Sequence, residues 1–159
     1  MGDTLHSVVC YELLGRIARG GMAEVYLCRA RGAGGYEKLL VVKKIRDDFA
    51  DSRDFVEMFM DEAAISAQLQ HRGIGQVFDF GRVNDTYIIA MEYIHGISLR
   101  DLLRYFGGQG EPAPPAMVAF IMAEVCAALE HAHTKSSWSG APLGIIHRDV
   151  NPRNVMISV

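Results

Sequence analysis

The chain has 159 residues, enough for one domain or a large piece of one. Half of them are apolar and 22% are charged, the balance of a packed globular protein and not of a disordered one. A net charge of −3 gives no support to a nucleic-acid partner or to a polybasic membrane contact.

Residues 1–10 read as an N-terminal extension. They hold no signal-peptide core, and His6 stands where a myristoylation motif beginning at Gly2 wants Ser or Thr. No apolar run approaches the roughly 18 residues of a spanning helix, so no membrane segment is expected and the expected location is cytoplasmic. Tyr11–Ile17 reads as a strand that leads into Gly20-Gly21, and Val25–Ala30 resumes it. Gly32, Gly34 and Gly35 form a turn, and a buried strand runs from Leu39 to about Ile45. Residues 54–70 read as a helix with Phe55, Phe59, Glu62, Ser66 and Leu69 on one face. Glu62 is the odd member of that stripe. A carboxylate facing a core is costly unless a cation meets it. Either a buried or half-buried basic partner comes from elsewhere, or Glu62 sits at the stripe's edge in solvent.

Val77–Phe80 and Thr86–Glu92 read as a hairpin around Asn84-Asp85, with His95-Gly96 ending its second strand. Ser98 is an N-cap for a short helix over 99–106. Residues 107–115 are a Gly/Pro-rich loop, and Pro114-Pro115 open a long helix to about His133. Its apolar face carries Val118, Ile121, Met122, Val125 and Leu129. A polar loop over 136–143 precedes Gly144-Ile145-Ile146. Hairpins followed by helices give an α+β class. Cys10, Cys28 and Cys126 lie far apart with no C-x-x-C pair, which fits apolar core residues and neither a metal site nor a disulfide framework. His131 and His133 do not share a helical face and make a poor metal pair.

Four segments in order carry chemistry. His147-Arg148-Asp149, with Asn154 five positions after the Asp, resembles the catalytic loop H-R-D-x-x-x-x-N of protein kinases. Ile17-Ala18-Arg19-Gly20-Gly21-Met22-Ala23-Glu24-Val25 resembles their glycine-rich loop, with Ala18 and Ala23 where the outer glycines belong. Glycine suits such a loop because backbone must approach phosphates and take dihedrals closed to other residues. Leu40-Val41-Val42-Lys43 resembles V-A-I-K, and Lys44 points to the opposite face. Glu62 stands where the family has a helix glutamate that pairs with this lysine, which answers the need the helix pattern exposes. Leu69-Gln70-His71-Arg72-Gly73-Ile74 is similar to the family's L-x-H-P-N-I turn, and Met91-Glu92-Tyr93-Ile94 to its gatekeeper and hinge.

The resemblance is closest to bacterial serine/threonine kinases of the eukaryotic type. It implies a protein-kinase-like fold: an antiparallel small lobe over about 11–92 with one key helix, a hinge over 92–97, and the first helices of a large lobe from 98 to 159. It implies ATP and Mg2+ as cofactors and a protein Ser/Thr hydroxyl as acceptor, with the oligomeric state open. Asp149 is implied as the base, Asn154 as the magnesium ligand, Lys43 as the phosphate contact and Glu62 as the residue orienting Lys43. Ile17, Ala18, Arg19, Gly20, Gly21, Met22, Ala23 and Val25 are implied to cover the nucleotide. Met91, the C=O of Glu92 and the N–H of Ile94 are implied to line the adenine, and Ser98 to reach the ribose.

Two departures stand out. Asn151 occupies the usual lysine position two after the Asp, which removes a charge from the loop unless Arg153 or another cation compensates. No D-F-G follows before Val159, so the 159 residues are expected to be a fragment, inactive in transfer alone, with the long helix partly exposed. Three readings follow: a piece of an ATP-dependent protein kinase, a pseudokinase-like binding module, or a small-molecule kinase of related fold.

Overall fold

The structure is a computed structural model that describes residues 10–137 and 139–158, with Ala33 described by its backbone alone. The expected extension, Cys10 apart, lies outside the described residues, as do Gly2, His6 and Val159. The chain divides into two compact units, one of residues 10–68 and 76–93, the other of 69–75 and 94–158.

In the first unit, β1 (Cys10–Arg19), β2 (Ala23–Arg31), β3 (Glu37–Ile45), β4 (Val77–Val83) and β5 (Thr86–Glu92) form one antiparallel sheet in the order β1-β2-β3-β5-β4. Alternation along β3 sends Val41, Lys43 and Ile45 to one face and Leu40 and Val42 to the other. Both faces are covered. One cluster joins Ala23, Ile45, Val77 and Ile89 to Phe59 and Ala63, and the other joins Cys28, Ala30, Leu40, Val42, Ile88 and Ala90. Asn84 and Asp85 close the β4–β5 hairpin with φ of 45° and 63°, the left-handed pair that a two-residue turn between twisted strands requires. β1 and β4 lie at opposite ends of the strand order, yet the Tyr11 hydroxyl donates to Asp79 Oδ2 at 3.2 Å. The sheet therefore curls until its edges meet, and the second cluster packs inside the curl beneath Tyr11 and Tyr26.

A short helix that the sequence reading leaves out, α1 (Asp47–Ala50), precedes α2 (Arg53–Ser66). The inward stripe of α2 is Val56, Phe59, Met60 and Ala63, which corrects the expected Phe55–Glu62–Ser66 stripe. Phe55 instead meets Phe49 of α1 edge-on, with the ring centroids 4.7 Å apart. The helix ends at Ser66, so Leu69 is buried beyond it and not on its face. Among the cysteines only Cys28 is buried; Cys10 and Cys126 are exposed, contrary to the core reading.

In the second unit, β6 (Gly96–Ser98) pairs with β7 (Met156–Ser158), and two helices intervene, α3 (Leu99–Gln109) and α4 (Pro115–His133). Gly96 opens β6; β5 has already stopped at Glu92, so Gly96 does not end the hairpin strand. A methyl on Gly96 would lie 1.9 Å from the Ile157 carbonyl oxygen, so only glycine lets the strands approach. α3 runs through Gly107 and Gly108 and stops at left-handed Gly110 (φ 70°), which shortens the expected Gly/Pro loop. Residues 69–75 pack on α4: the His71 ring stacks on His131 at 5.2 Å, and Arg72 pairs with Glu124 at 2.6 Å.

The buried positions of α4 are Ile121, Ala128 and Ala132, while Val118 and Met122 of the expected apolar face are exposed. Phe120, 67% exposed, shows that the helix is apolar well around its circumference. Its 19 residues, with mean hydropathy 1.4, are long and apolar enough to cross a membrane by length and composition. Glu124 and Glu130 interrupt it, so no unbroken apolar run reaches that length.

Candidate active site

The sheet register brings together the candidate residues of the first unit. Val25 pairs with Lys43, which pairs with Ile89; one step along, Leu27 pairs with Val41, which pairs with Met91. In-register partners share a face, so Val25, Lys43 and Met91 all lie on the face that α2 covers. There Lys43 Nζ sits 2.6 Å from Glu62 Oε1, with the lysine side chain 25% and the glutamate 51% exposed. The partner that the Glu62 position asked for is thus half-buried, while Glu62 itself stands at the rim of the helix face. An ion pair this wet stabilises by less than about 1 kcal/mol. Its consequence is geometric: one long cation is held in place. Lys44 takes the other face and pairs with Asp47 at 3.2 Å.

The glycine turn is braced from outside. Gly20 N–H donates to Ala23 O at 2.8 Å, the Arg46 backbone N–H donates to Met22 O at 2.9 Å, and Arg46 Nη1 donates to Gly21 O at 2.8 Å. Neither Gly20 nor Gly21 is among the left-handed glycines, which corrects the expectation of forbidden dihedrals there. A methyl on Gly20 would press on the Ala23 carbonyl oxygen at 3.3 Å, a tight contact, while one on Gly21 would meet nothing within 4 Å. Ala18 pairs with Val25 and Arg19 with Glu24, while Ile17 falls in a bulge and is exposed. Arg19 Nε lies 3.4 Å and Arg16 Nη1 2.8 Å from Glu24 Oε1. The Tyr26 hydroxyl bond, then these two arginines, hold the Glu24 carboxyl below its ordinary range. Glu92 ends β5, with its N–H on Gln76 O at 2.8 Å and its carboxylate on Gln76 N–H at 3.1 Å.

Ile94, Ser98, Asp149 and Asn154 belong to the second unit. Ser98 caps α3: Oγ accepts from Asp101 N–H at 3.1 Å and donates to Asp101 Oδ2 at 2.5 Å. Its proton is committed there, so in this arrangement it has none for a ribose. The next two helix amides, which lack intrahelical partners, hold the catalytic loop. Leu99 N–H donates to Val155 O and Arg100 N–H to Pro152 O, each at 2.8 Å. Arg148 takes φ 62°, a sparsely populated conformation for a side-chain-bearing residue, directly before Asp149. Both Asp149 oxygens are engaged, Oδ1 by Asn151 Nδ2 at 2.7 Å and Oδ2 by Asn154 Nδ2 at 2.8 Å. Asn154 Nδ2 also donates to Asp149 O at 2.9 Å. Asp149 and Asn154 line an open hollow of about 570 Å3 with Arg100, Asn151, Pro152 and Arg153.

The first unit thus carries an inward lysine fixed by a helix carboxylate and a braced glycine turn, and the second a carboxylate oriented by side-chain amides. Residues 11–159 match the protein kinase domain family. The chain belongs to that family. It is 35% identical over 148 residues to the tyrosine-protein kinase MasK of Myxococcus xanthus, covering 93% of this chain and 23% of that protein. It is 32% identical over 147 residues to the serine/threonine-protein kinase PrkC of Bacillus subtilis, covering 92% of this chain and 20% of that one. The PknI kinase domain of Mycobacterium tuberculosis superposes with a TM-score of 0.69 at 29% identity, over 93% of this chain and 54% of that one. The chain thus spans about a fifth of these curated relatives and about half of that kinase domain. The fold is protein-kinase-like, an incomplete kinase domain with a five-stranded antiparallel sheet. Family membership implies, in general terms, ATP, Mg2+ and protein substrates.

Three contributors escape sequence reasoning. Arg46 reads as an ordinary charge after a strand. The Leu99 and Arg100 amides carry no side-chain signature, although Ser98 as an N-cap marks where free N–H groups begin. Asn151 reads as a lost charge, not as a bridge.

Proposed function

We propose that this chain carries the nucleotide-holding and proton-accepting residues of an ATP-dependent protein serine/threonine kinase. The observation that carries the reading is the pairing of Lys43 with Glu62 at 2.6 Å, in a chain whose Asp149 is clamped through both oxygens. In transfer, the acceptor hydroxyl oxygen bonds to the γ-phosphorus. The bond from that phosphorus to the bridging oxygen breaks, ADP leaves, and the hydroxyl proton passes to Asp149. Each Asp149 oxygen accepts one amide N–H and keeps a further lone pair, so the clamp orients the carboxylate without filling it. Lys43 supplies a fixed positive charge for the α- and β-phosphates, beneath Val25 and the turn 20–22.

Magnesium fits Asn154. Both contacts of its side chain use Nδ2, which leaves the amide oxygen as a hard donor on a residue that lines the hollow. Among the described residues no cluster of three His, Cys, Asp or Glu side chains offers a complete metal cage, so Asn154 would act as one ligand among phosphate oxygens and water. Bound there, the ion would neutralise phosphate charge. The acceptor class proposed is serine or threonine, by the kinship with PrkC and other bacterial serine/threonine kinases and against the name of MasK, and a cytoplasmic location suits an enzyme that draws on cellular ATP.

Because the chain spans about half of the PknI domain, binding is tested on the chain and transfer on protein carrying a whole domain. A thermal-shift titration with Mg-ATP should raise the melting temperature of the chain, and Lys43→Met should remove most of the rise. An equal rise in the variant would sink the assignment of Lys43. Transfer of labelled phosphate should depend on Asp149 and yield phosphoserine or phosphothreonine. Phosphotyrosine as the main product would overturn the acceptor class.

A further inference from the structure

The glycine turn is gripped by one residue. Arg46 Nη1 donates to the Gly21 carbonyl at 2.8 Å, and the Arg46 backbone N–H donates to the Met22 carbonyl at 2.9 Å. The peptides are trans, so each N–H points opposite to the C=O of its own peptide. Holding the Gly21 carbonyl towards Arg46 therefore turns the Met22 N–H away from it. Among the described residues that N–H has no hydrogen-bond acceptor. A fixed, unpaired amide on a glycine turn is a donor for an anion. Ordering a glycine pair costs more backbone entropy than ordering other residues. A brace that orders the turn before a ligand arrives removes that cost from binding.

Arg46 is itself held. Its Nη2 pairs with Asp48 Oδ2, and its guanidinium carbon lies 5.4 Å from the centroid of the Phe49 ring. Phe49 in turn meets Phe55 of α2, the helix that carries Glu62. The arginine side chain is 21% exposed, and its Nε, shut off from solvent, has no acceptor. A buried donor left bare costs stability. A guanidinium placed only to strengthen the end of β3 gains nothing from that orphan, whereas one placed to aim a carbonyl tolerates it.

We propose that Arg46 is a positioning residue for phosphate binding: it holds the turn 20–22 so that the Met22 N–H is preset for a phosphate oxygen of a nucleoside di- or triphosphate, and Asp48 and Phe49 set Arg46. This rests on the kinase reading above. Arg46 acts through the turn and not on the phosphate itself. Through Phe49, the turn and the Lys43–Glu62 pair share α2 as a support.

The test is calorimetric titration of the 159-residue chain with ADP and with adenosine, in magnesium. Arg46→Met should weaken ADP about tenfold, the scale of one bond to a charged oxygen, and leave adenosine within about twofold. Arg46→Lys should recover part of the loss, since an ammonium keeps a donor but lacks the fork. Asp48→Asn should weaken ADP about threefold and have no further effect in the Arg46→Met background, because it acts through Arg46. Arg53→Gln, a charge change on α2 at a side chain 89% exposed, should leave both affinities within about twofold. In the nucleotide-free chain, hydrogen exchange at the Gly20 N–H, which is bonded to Ala23 O, should accelerate in Arg46→Met while the amides of the β3–β5 ladder stay protected. Three results overturn the proposal and leave the kinase reading standing: an unchanged ADP-to-adenosine ratio in Arg46→Met, an Asp48→Asn loss that adds in full to that of Arg46→Met, or exchange that accelerates in the β3–β5 ladder as much as at Gly20, which would make Arg46 a strut for the sheet. A chain that binds neither nucleotide overturns both.

Discussion

The five-stranded unit and the unit that bears Asp149 are held together by different means. The sheet buries apolar side chains on both faces, and no polar or charged side chain is buried among the described residues. The second unit buries little: α3 has no buried residue and α4 has three. Its catalytic loop is placed instead by hydrogen bonds, from two α3 amides, from the amides of Asn151 and Asn154, and by strand pairing at Gly96. Burial is non-directional and tolerates small shifts, whereas hydrogen bonds fix direction and fail with the loss of one atom. The sheet unit provides stability on which Lys43 rides, and the loop unit provides aim.

The sharpest way to break that contrast is to remove one ring from each unit. Phe59, 4% exposed in the sheet core, should cost about 3–5 kcal/mol as Phe59→Ala. Phe120, 67% exposed on α4, should change stability by no more than about 0.5 kcal/mol as Phe120→Ala. Urea unfolding followed by circular dichroism reads both. Similar losses would mean that α4 is packed where it is described as bare. Next in size is Gly96→Ala. The added methyl must push Ile157 away, at a cost of about 1–3 kcal/mol, and hydrogen exchange at the Leu99 and Arg100 amides should accelerate. Gly81→Ala, whose methyl meets open space, should leave those amides protected.

Ser98→Ala asks whether one cap matters to the loop, with an expected loss of about 1 kcal/mol and recovery in Ser98→Thr. The pH dependence carries a sign. The Ser98 hydroxyl, followed by the neighbouring arginines, holds the Asp101 carboxyl below its ordinary 3.8. A lowered folded-state value stabilises above the ordinary value and is lost as pH falls below it. The acid-side loss should shrink in Ser98→Ala; an unchanged acid limb would show that the capping hydroxyl does not govern Asp101.

How much of this was legible in the sequence follows the same division. β1 to β5 and their hairpins announce themselves, because period-two apolar residues and Asn84-Asp85 are local signals. The Lys43–Glu62 contact was legible as an unmet need on a helix face, although the face itself was misjudged. Nothing local to α2 says that Val56, Met60 and Ala63 are the residues that meet the sheet, so a stripe drawn from the larger side chains rotates toward Glu62. The H-R-D-x-x-x-x-N pattern marks the loop, but the groups that hold it are backbone amides and the Asn151 side chain. These depend on which carbonyl lies opposite, which a residue list does not encode. The exposure of Val118 and Met122 on α4 was not legible either, because which part of an apolar helix is covered depends on what packs against it.

The smallest effect tests whether the sheet closes on itself. Burial first, and then the Asp79 carboxylate, push the Tyr11 phenol from 10.0 up to about 12. Tyr11 sits on one edge strand and Asp79 on the other, so the Asp79 part of the shift exists only if the curl brings the edges together. A raised folded-state value means the neutral phenol is the form that the fold favours. Its contribution is complete below the ordinary value and disappears as pH climbs from about 10 towards 12. Tyrosinate absorbance should show a late-titrating ring that Tyr11→Phe removes, measured in a Tyr26→Phe background because the Glu24 bond raises Tyr26 as well. Asp79→Asn should lower the Tyr11 midpoint only part of the way, since burial remains after the charge has gone. A Tyr11 that titrates with the exposed tyrosines would leave the sheet open at that edge, and the cluster of Cys28, Leu40 and Ile88 would then have to hold without its lid.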